Sequence, residues 1–379
     1  MKIVKGGITK AQGFKANGLH CGIKRSGKLD LALIYCDCLA TVAGVFTKNS
    51  IKAAPLIVTQ KHLHNHRAQA IIVNSGNANC FTGNFGMIYA QKTAELFAKL
   101  LKIKTSDVLV ASTGIIGRPL PFKKIKDAAP QLAKGLSPNH SQKAARAILT
   151  TDKMIKETAV QTTINGKTIT LGGCAKGSGM IAPNMATMLA FITTDVAITA
   201  PMLKLALTKA AEKTFNCITV DGCMSTNDMT IVLANGLANN TMIRKHGKDF
   251  DKFYEALHFI CLDLAKKIVL DGEGANKFIE VHVTGAGNDD KAKKVCFAIA
   301  NSNLVKTAAY GSNPNWGRVA AAVGSLGLPI TEKDMKIKFS SFAKKNIRIS
   351  VDLNLGRHKA TVYTSDLSPE YVKINGAYN

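Results

Sequence analysis

Apolar residues recur along the chain in two rhythms. From 87 to 101 they fall at 87, 88, 94, 97, 98, 100 and 101 with lysines between them, the spacing of one face of a helix. Similar spacing predicts helices over 141–149, 201–214, 249–270, 289–300 and 315–326, with Pro201 suited to a first helical turn. Short apolar runs predict strands over 31–35, 43–46, 70–73, 107–111, 188–192, 217–220, 229–234 and 278–283. Residues 159–164 and 167–171 flank Asn165-Gly166, a strong hairpin signal. Near the end, 336–341, 346–354 and 358–363 alternate as strands, with 371–374 as a further one. Strands and helices come in clusters, which favours α+β layers over a doubly wound parallel sheet.

The chain has 379 residues, beyond the roughly 250–300 that one core supports, so two domains are expected. The boundary is placed at Asn276, giving a larger domain over 1–276 and a smaller one over 277–379. Apolar residues are 46% and charged residues 20%, with no biased tract, which excludes a disordered chain. No stretch reaches the ~18–20 apolar residues of a membrane span, and the N-terminus lacks a signal-type apolar core. A cytoplasmic protein with no membrane partner is expected. The 9 cysteines are scattered without a CxxC pair, which favours reduced thiols over disulfides or zinc. The net charge of +25 raises the question of nucleic acid, but the lysines are dispersed and aromatics are only 6%. A solvated basic face is expected, with no nucleic-acid partner.

Candidate chemistry concentrates between Leu171 and Asp195. Gly172, Gly173, Gly177 and Gly179 predict a loop, and a buried strand follows, with Thr187 at the junction. Cutting between Ala186 and Thr187 would give the threonine a free α-amine, whose pKa of about 7.7–8.0 suits it as base for its own hydroxyl. A strand residue packed under a loop explains the same feature. Ser112-Thr113-Gly114 ends a strand where a hydroxyl and backbone N–H groups are able to hold an oxyanion, and a plain turn explains it equally. Lys176 suits a substrate carboxylate, or a solvated loop, and Glu273 is expected on an exposed turn after the 249–270 helix. His62, His64 and His66 would share one strand face, but with no carboxylate or cysteine beside them no metal site is expected. GxGxxG, Walker and GxSxG patterns are missing, so nucleotide binding and serine hydrolysis lack support, and no cofactor is expected.

Lys176-Gly177-Ser178-Gly179-Met180-Ile181, Pro183-Asn184-Met185-Ala186-Thr187-Met188-Leu189 and Phe191-Ile192-Thr193-Thr194-Asp195 resemble the self-cleavage segment of the ornithine acetyltransferases, also called glutamate N-acetyltransferases or bifunctional arginine biosynthesis proteins. Gly44-Val45-Phe46-Thr47, Asn74-Ser75-Gly76-Asn77-Ala78-Asn79, Ser112-Thr113-Gly114, Thr150-Thr151-Asp152, Ser225-Thr226-Asn227-Asp228, Asp271-Gly272-Glu273-Gly274 and Pro314-Asn315-Trp316-Gly317-Arg318 extend the resemblance in order over the chain. It implies a layered α/β/β/α sandwich of the self-cleaving N-terminal-nucleophile type with a smaller C-terminal α/β domain. It also implies cleavage between Ala186 and Thr187 into an α chain, 1–186, and a β chain from 187, held as a heterotetramer of two of each.

The same resemblance implies that Thr187 takes acetyl from N-acetylornithine and passes it to glutamate, with Thr113 and Gly114 holding the oxyanion. Thr150, Lys176, Glu273 and Asn375 fall at substrate positions, and acetyl-CoA stays open as a second donor. The chain departs from the family in ending at Tyr378-Asn379, where two threonines usually follow the tyrosine, and in Cys223-Met224 and Cys80-Phe81. An amidase or aminopeptidase on the same nucleophile, or a basic binding protein without turnover, are the competing readings.

Overall fold

The computed structural model describes residues 1–182 and 188–377. Their contacts divide into two units: 1–177, 188–215 and 224–264 form the first, and 178–182, 216–223 and 265–377 the second. In the first unit, among the described residues, one 9-stranded sheet contains β1 (Lys2–Val4), β2 (Phe14–Leu19), β3 (Leu31–Phe46), β4 (Arg67–Asn77), β5 (Val108–Ile115), β6 (Lys156–Ile164), β7 (Lys167–Lys176), β8 (Leu189–Thr194) and β9 (Met229–Ala234). The order is β1-β6-β7-β8-β9-β3-β4-β5, with β2 also on β3.

β3 is one strand of 16 residues where the pattern predicts two short ones. Its first half lies antiparallel between β2 and β4. The register with β4 shifts between Tyr35 and Ala40, where pairing resumes through Thr41, and from Thr41 to Phe46 the strand also pairs with β9. The interruption at Asp37-Cys38 is the polar break that separates the two apolar runs in the sequence.

Alternation along the strands sorts the side chains into layers. Among the described residues this part has the helices α1 (Ala54–His62), α2 (Gly83–Leu101), α3 (Phe122–Lys134), α4 (Ser141–Ala147), α5 (Ala200–Lys213) and α6 (Lys248–Leu270), of which 265–270 count with the second unit. Leu31, Leu33, Ile72 and Val110 pack with Phe97 of α2 and Leu132 of α3. Ala32, Ile34, Ile71 and Leu109 point the other way, into a core shared with Cys174, Leu189, Phe191, Ile231 and Leu233. The two halves of the sheet therefore face each other across that core. Behind β7, Ile260 and Leu264 of α6 lie over Gly173, and α5 packs on β3. The result is the expected α/β/β/α layering.

Gly172 and Gly173 belong to β7, not to a loop. A Cβ on Gly172 would meet the Gly7 carbonyl oxygen at 2.0 Å, and one on Gly173 would meet α6 side chains at 3.2 Å. Both are glycine because neighbours close in on each face. The hairpin at Asn165-Gly166 forms as predicted.

The second unit has a 4-stranded sheet among the described residues, ordered β11-β12-β10-β13, from β10 (Phe278–Ala286), β11 (Lys336–Phe339), β12 (Asn346–Asp352) and β13 (His358–Ser365). β10 runs parallel to β12 and antiparallel to β13. Helices α7 (Asp289–Ala300), α8 (Asn303–Tyr310) and α9 (Trp316–Gly324) supply Val295, Ile299, Val305 and Val319 to its core against Ile279, Val281 and Val283. Residues 371–374 lie in a helix, α10 (Pro369–Gly376), not a strand: Pro369 sits in its first turn, and Val372 is exposed. Residues 217–220 are not a strand: Cys217 ends a 3-10 helix, and Ile218 makes an isolated bridge to Tyr363. Among the described residues no helix is long and apolar enough to cross a membrane.

Gly172→Ala is expected to destabilise the protein by about 1–3 kcal/mol through the clash with Gly7, read as a lower urea midpoint.

Candidate active site

The ends of β4 and β5 lie side by side in parallel register, Asn74 opposite Ser112, Ser75 opposite Thr113 and Gly76 opposite Gly114. Gly114 has φ 131°, and a Cβ there would lie 2.4 Å from the Gly76 carbonyl carbon, so the turn after Thr113 admits only glycine. Ser112 Oγ donates to Asn74 Oδ1 at 2.5 Å. Asn227 Nδ2 donates to Ala78 O at 2.7 Å and Ser112 O at 2.8 Å. Thr47 Oγ1 donates to Ser225 O at 2.9 Å, and Thr47 N to Asp228 O at 3.0 Å. Four motifs that are separate in the sequence therefore meet at one end of these strands.

Lys176, the last residue of β7, reaches the same place. It is buried, 4% exposed, and its Nζ donates to Thr113 Oγ1 at 3.4 Å. Beside it, Asp152 Oδ1 accepts from Lys156 Nζ and from the Gly177 N–H, both at 2.7 Å. Its Oδ2 accepts from the Thr150 N–H at 2.9 Å and, more loosely, from Thr150 Oγ1 at 3.5 Å. Burial opposes ionisation of Asp152, yet Lys176 and Lys156 together hold its carboxyl well below the usual carboxylate range. One buried carboxylate thus ties Thr150 to the end of β7 that carries Lys176. Lys24 braces the other flank, donating to Leu149 O at 2.6 Å and Leu29 O at 2.7 Å. Burial draws its ammonium down to about 8, partly offset by Asp30 and Asp152.

The second unit carries the two remaining candidates. Glu273 is buried, 7% exposed, rather than on an exposed turn. Its N–H donates to Ser178 O at 2.8 Å, and a Cβ on Gly179 would stand 2.2 Å from its Oε2, so the carboxylate packs directly on that glycine. Asn375, on α10, donates from Nδ2 to Glu273 Oε2 at 2.8 Å. Asp221 accepts from the N–H groups of Met180 at 2.6 Å and Ile181 at 2.9 Å. Tyr371 OH lies 3.4 Å from Asp221 Oδ2, and burial, then the Asp221 charge, pushes its phenol up.

Of the sequence candidates, Thr113, Gly114, Thr150 and Lys176 come together in the first unit, and Glu273 and Asn375 in the second. Ala186 and Thr187 lie outside the described residues. Asp152, Asp228 and Asn227 received no role from the sequence although each belongs to a quoted motif. Their signal is a polar side chain in an otherwise buried stretch. His62 closes helix α1 rather than a strand, its Nδ1 2.7 Å from Val108 O, while His64 and His66 lie in the turn beyond it. Among the described residues no group of three or more His, Cys, Asp or Glu side chains is placed to hold a metal ion.

Asp152→Asn removes the negative charge between Lys156 and Lys176, and is expected to cost about 3–5 kcal/mol at neutral pH. Because the folded carboxyl is held below its unfolded value of about 4, that stability is complete above this pH and is lost as pH falls below it. The gap between wild type and variant in urea unfolding should close on acidification.

The ArgJ family model matches residues 15–379. A protein of Caldanaerobacter subterraneus subsp. tengcongensis named arginine biosynthesis bifunctional protein ArgJ is 45% identical, the alignment covering 100% of both chains. One of Gloeobacter violaceus with the same name is 43% identical over 99% of this chain and 98% of its own. Among solved structures, an ornithine acetyltransferase of Mycobacterium tuberculosis complexed with ornithine aligns at 38% identity and TM-score 0.46, over 48% of this chain and 98% of that one. Matched by its family model over nearly all its length, and by full-length relatives well above chance identity, the chain belongs to the ArgJ family.

Proposed function

We propose that this chain transfers acetyl from N-acetylornithine to glutamate in arginine biosynthesis, through an acetyl ester on Thr187 after the chain cuts itself between Ala186 and Thr187. The observation that carries the reading is the meeting of Thr113, Gly114, Thr150 and Lys176 at one end of the first-unit strands, in a chain of the ArgJ family.

In self-cleavage the Thr187 hydroxyl attacks the Ala186 carbonyl, the C–N bond breaks as the nitrogen takes a proton, and water opens the resulting ester. The freed amine is then base to the same hydroxyl, which attacks the acetyl carbonyl of N-acetylornithine. The Thr113 hydroxyl and Gly114 N–H hold the tetrahedral oxyanion, ornithine leaves with the proton, and the amine of glutamate attacks the acetyl-Thr187 ester in the reverse sense. Lys176 suits a substrate carboxylate. Glu273, steadied by Asn375, suits the side-chain ammonium of ornithine.

Acetyl-CoA is proposed as a second donor because the relatives are named bifunctional. The two fragments are proposed to stay together as a cytoplasmic heterotetramer of two α and two β chains, with no bound cofactor, metal or nucleic acid.

Intact mass under denaturing conditions should give two fragments, one ending at Ala186 and one beginning at Thr187, and a single chain for Thr187→Ala; an uncut wild type overturns the reading. Acetyl supplied on N-acetylornithine should appear on glutamate. Release as acetate, whether or not glutamate is present, would instead make the protein a hydrolase. Thr113→Val should lower kcat about 100-fold or more, the usual cost of losing one oxyanion donor.

A further inference from the structure

Met188, the residue after Thr187, has both polar groups of its backbone held. Its N–H donates to Asp228 Oδ1 at 2.9 Å, and its carbonyl accepts from the Met229 N–H at 3.1 Å. Met229 opens β9 opposite Leu189, the first residue of the parallel strand β8. The Asp228 side chain therefore continues the β8–β9 ladder one residue past the point where backbone pairing stops.

Asp228 is 2% exposed, and its Oδ2 has no hydrogen-bond partner among the described residues. A carboxyl in that position carries a desolvation cost that an apolar side chain of the same size would not. One return on that cost is the acceptor it gives to Met188, beside the side chains of Ser225 and Thr47. Burial pushes the carboxyl well above its usual range, against the pull of the Met188 N–H and then of Lys176. The carboxyl accepts the Met188 bond through Oδ1 with or without its proton.

We infer that Asp228 is the positioning residue for the nucleophile of the proposed reaction, tethering the Met188 nitrogen three covalent bonds from that of Thr187 both before and after the chain is cut. The inference rests on the reading of Thr187 as nucleophile. A chain end frays unless its backbone is tied down, and a chain cut one residue ahead of Met188 is tied down at that peptide. A nucleophile displaced by about 1 Å loses on the order of 100-fold in rate. The tether needs an oxygen acceptor at position 228, not a charge, and this separates asparagine from alanine there.

The test compares wild type with Asp228→Ala and Asp228→Asn, each shown to be folded by circular dichroism, in self-cleavage time courses read by denaturing mass and in steady-state acetyl transfer from N-acetylornithine to glutamate. Asp228→Ala should slow cleavage and lower kcat at least tenfold while KM stays within about threefold, and Asp228→Asn should recover most of both losses. Wild-type rates in Asp228→Ala overturn the inference. So does an asparagine variant as impaired as alanine, because a charge or proton would then be at work. Whatever the variants do, the Met188 amide of the wild type should exchange with deuterium at least tenfold more slowly than exposed-loop amides. Exchange at the exposed-loop rate also overturns the tether. A wild type that is never cut at Thr187 overturns the functional reading itself, and the exchange measurement still decides whether the tether exists.

Discussion

The first unit depends on a change of partner along one strand. β3 pairs with β2 over its first half and with β9 over its last, with the register slip between Tyr35 and Ala40 in between. Because side chains alternate, each half buries one face in a common core and turns the other toward helices. A strand that kept one set of neighbours would leave Cys174, Phe191 and Ile231 without the Ile34 and Ile71 side they share a core with. In the sheet so built, Lys176 at the end of β7 meets Thr113 near the end of β5.

In both units, irregular backbone is pinned by buried and half-buried aspartates. Asp152 collects the N–H groups of Thr150 and Gly177, Asp30 those of Cys21 and Lys24, and Asp228 that of Met188. In the second unit Asp221 holds Met180 and Ile181, and Asp366 holds Asn276 and Lys277. Each carboxylate satisfies donors that leave a strand or helix with no backbone partner, which a buried chain cannot leave unmet. Lysines then offset the charge at Asp152, and at Asp228 burial pushes the carboxyl well above its usual range. A net charge of +25 thus coexists with sites built on acidic residues.

What was legible in the sequence follows from the same physics. The long helix over 249–270, the hairpin at Asn165-Gly166 and the strand at 229–234 rest on period and turn chemistry, and they form where expected. α10 was misread because Tyr371, Val372 and Ile374 look β-forming, while Pro369 after Ser368 is the competing helix-start signal. α3 was missed because Pro130 lies inside it. Gly172 and Gly173 read as a loop because composition cannot tell a glycine chosen for its torsions from one chosen for a close neighbour, here Gly7 on one face and Ile260 on the other. Thr113, Gly114 and Lys176 are legible from their local chemistry and Thr150 from the family resemblance, but the carboxylate that joins Thr150 to the Lys176 strand is a long-range contact and leaves only a lone aspartate in the sequence.

The sheet also explains how a chain cut after Ala186 would hold together. Everything from β1 to β7 precedes the cut, and β8 and β9 follow it. Those two strands do not sit at an edge. β8 is paired along its length with β7, from Leu171 opposite Thr194 to Lys176 opposite Leu189, and β9 with the second half of β3, from Thr41 opposite Ala234 to Phe46 opposite Met229. The later piece is thus inserted into the middle of the earlier one's sheet, with backbone hydrogen bonds on both sides and the apolar side chains of Leu189, Phe191, Ile231 and Leu233 in a core that the earlier piece closes. Separating the pieces would open two ladders and that core together, which amounts to unfolding the unit. Hydrolysis of one peptide bond releases no strand from such an arrangement. The N–H and carbonyl of Met188 are bonded to Asp228 and Met229, on the far side of the cut from β7.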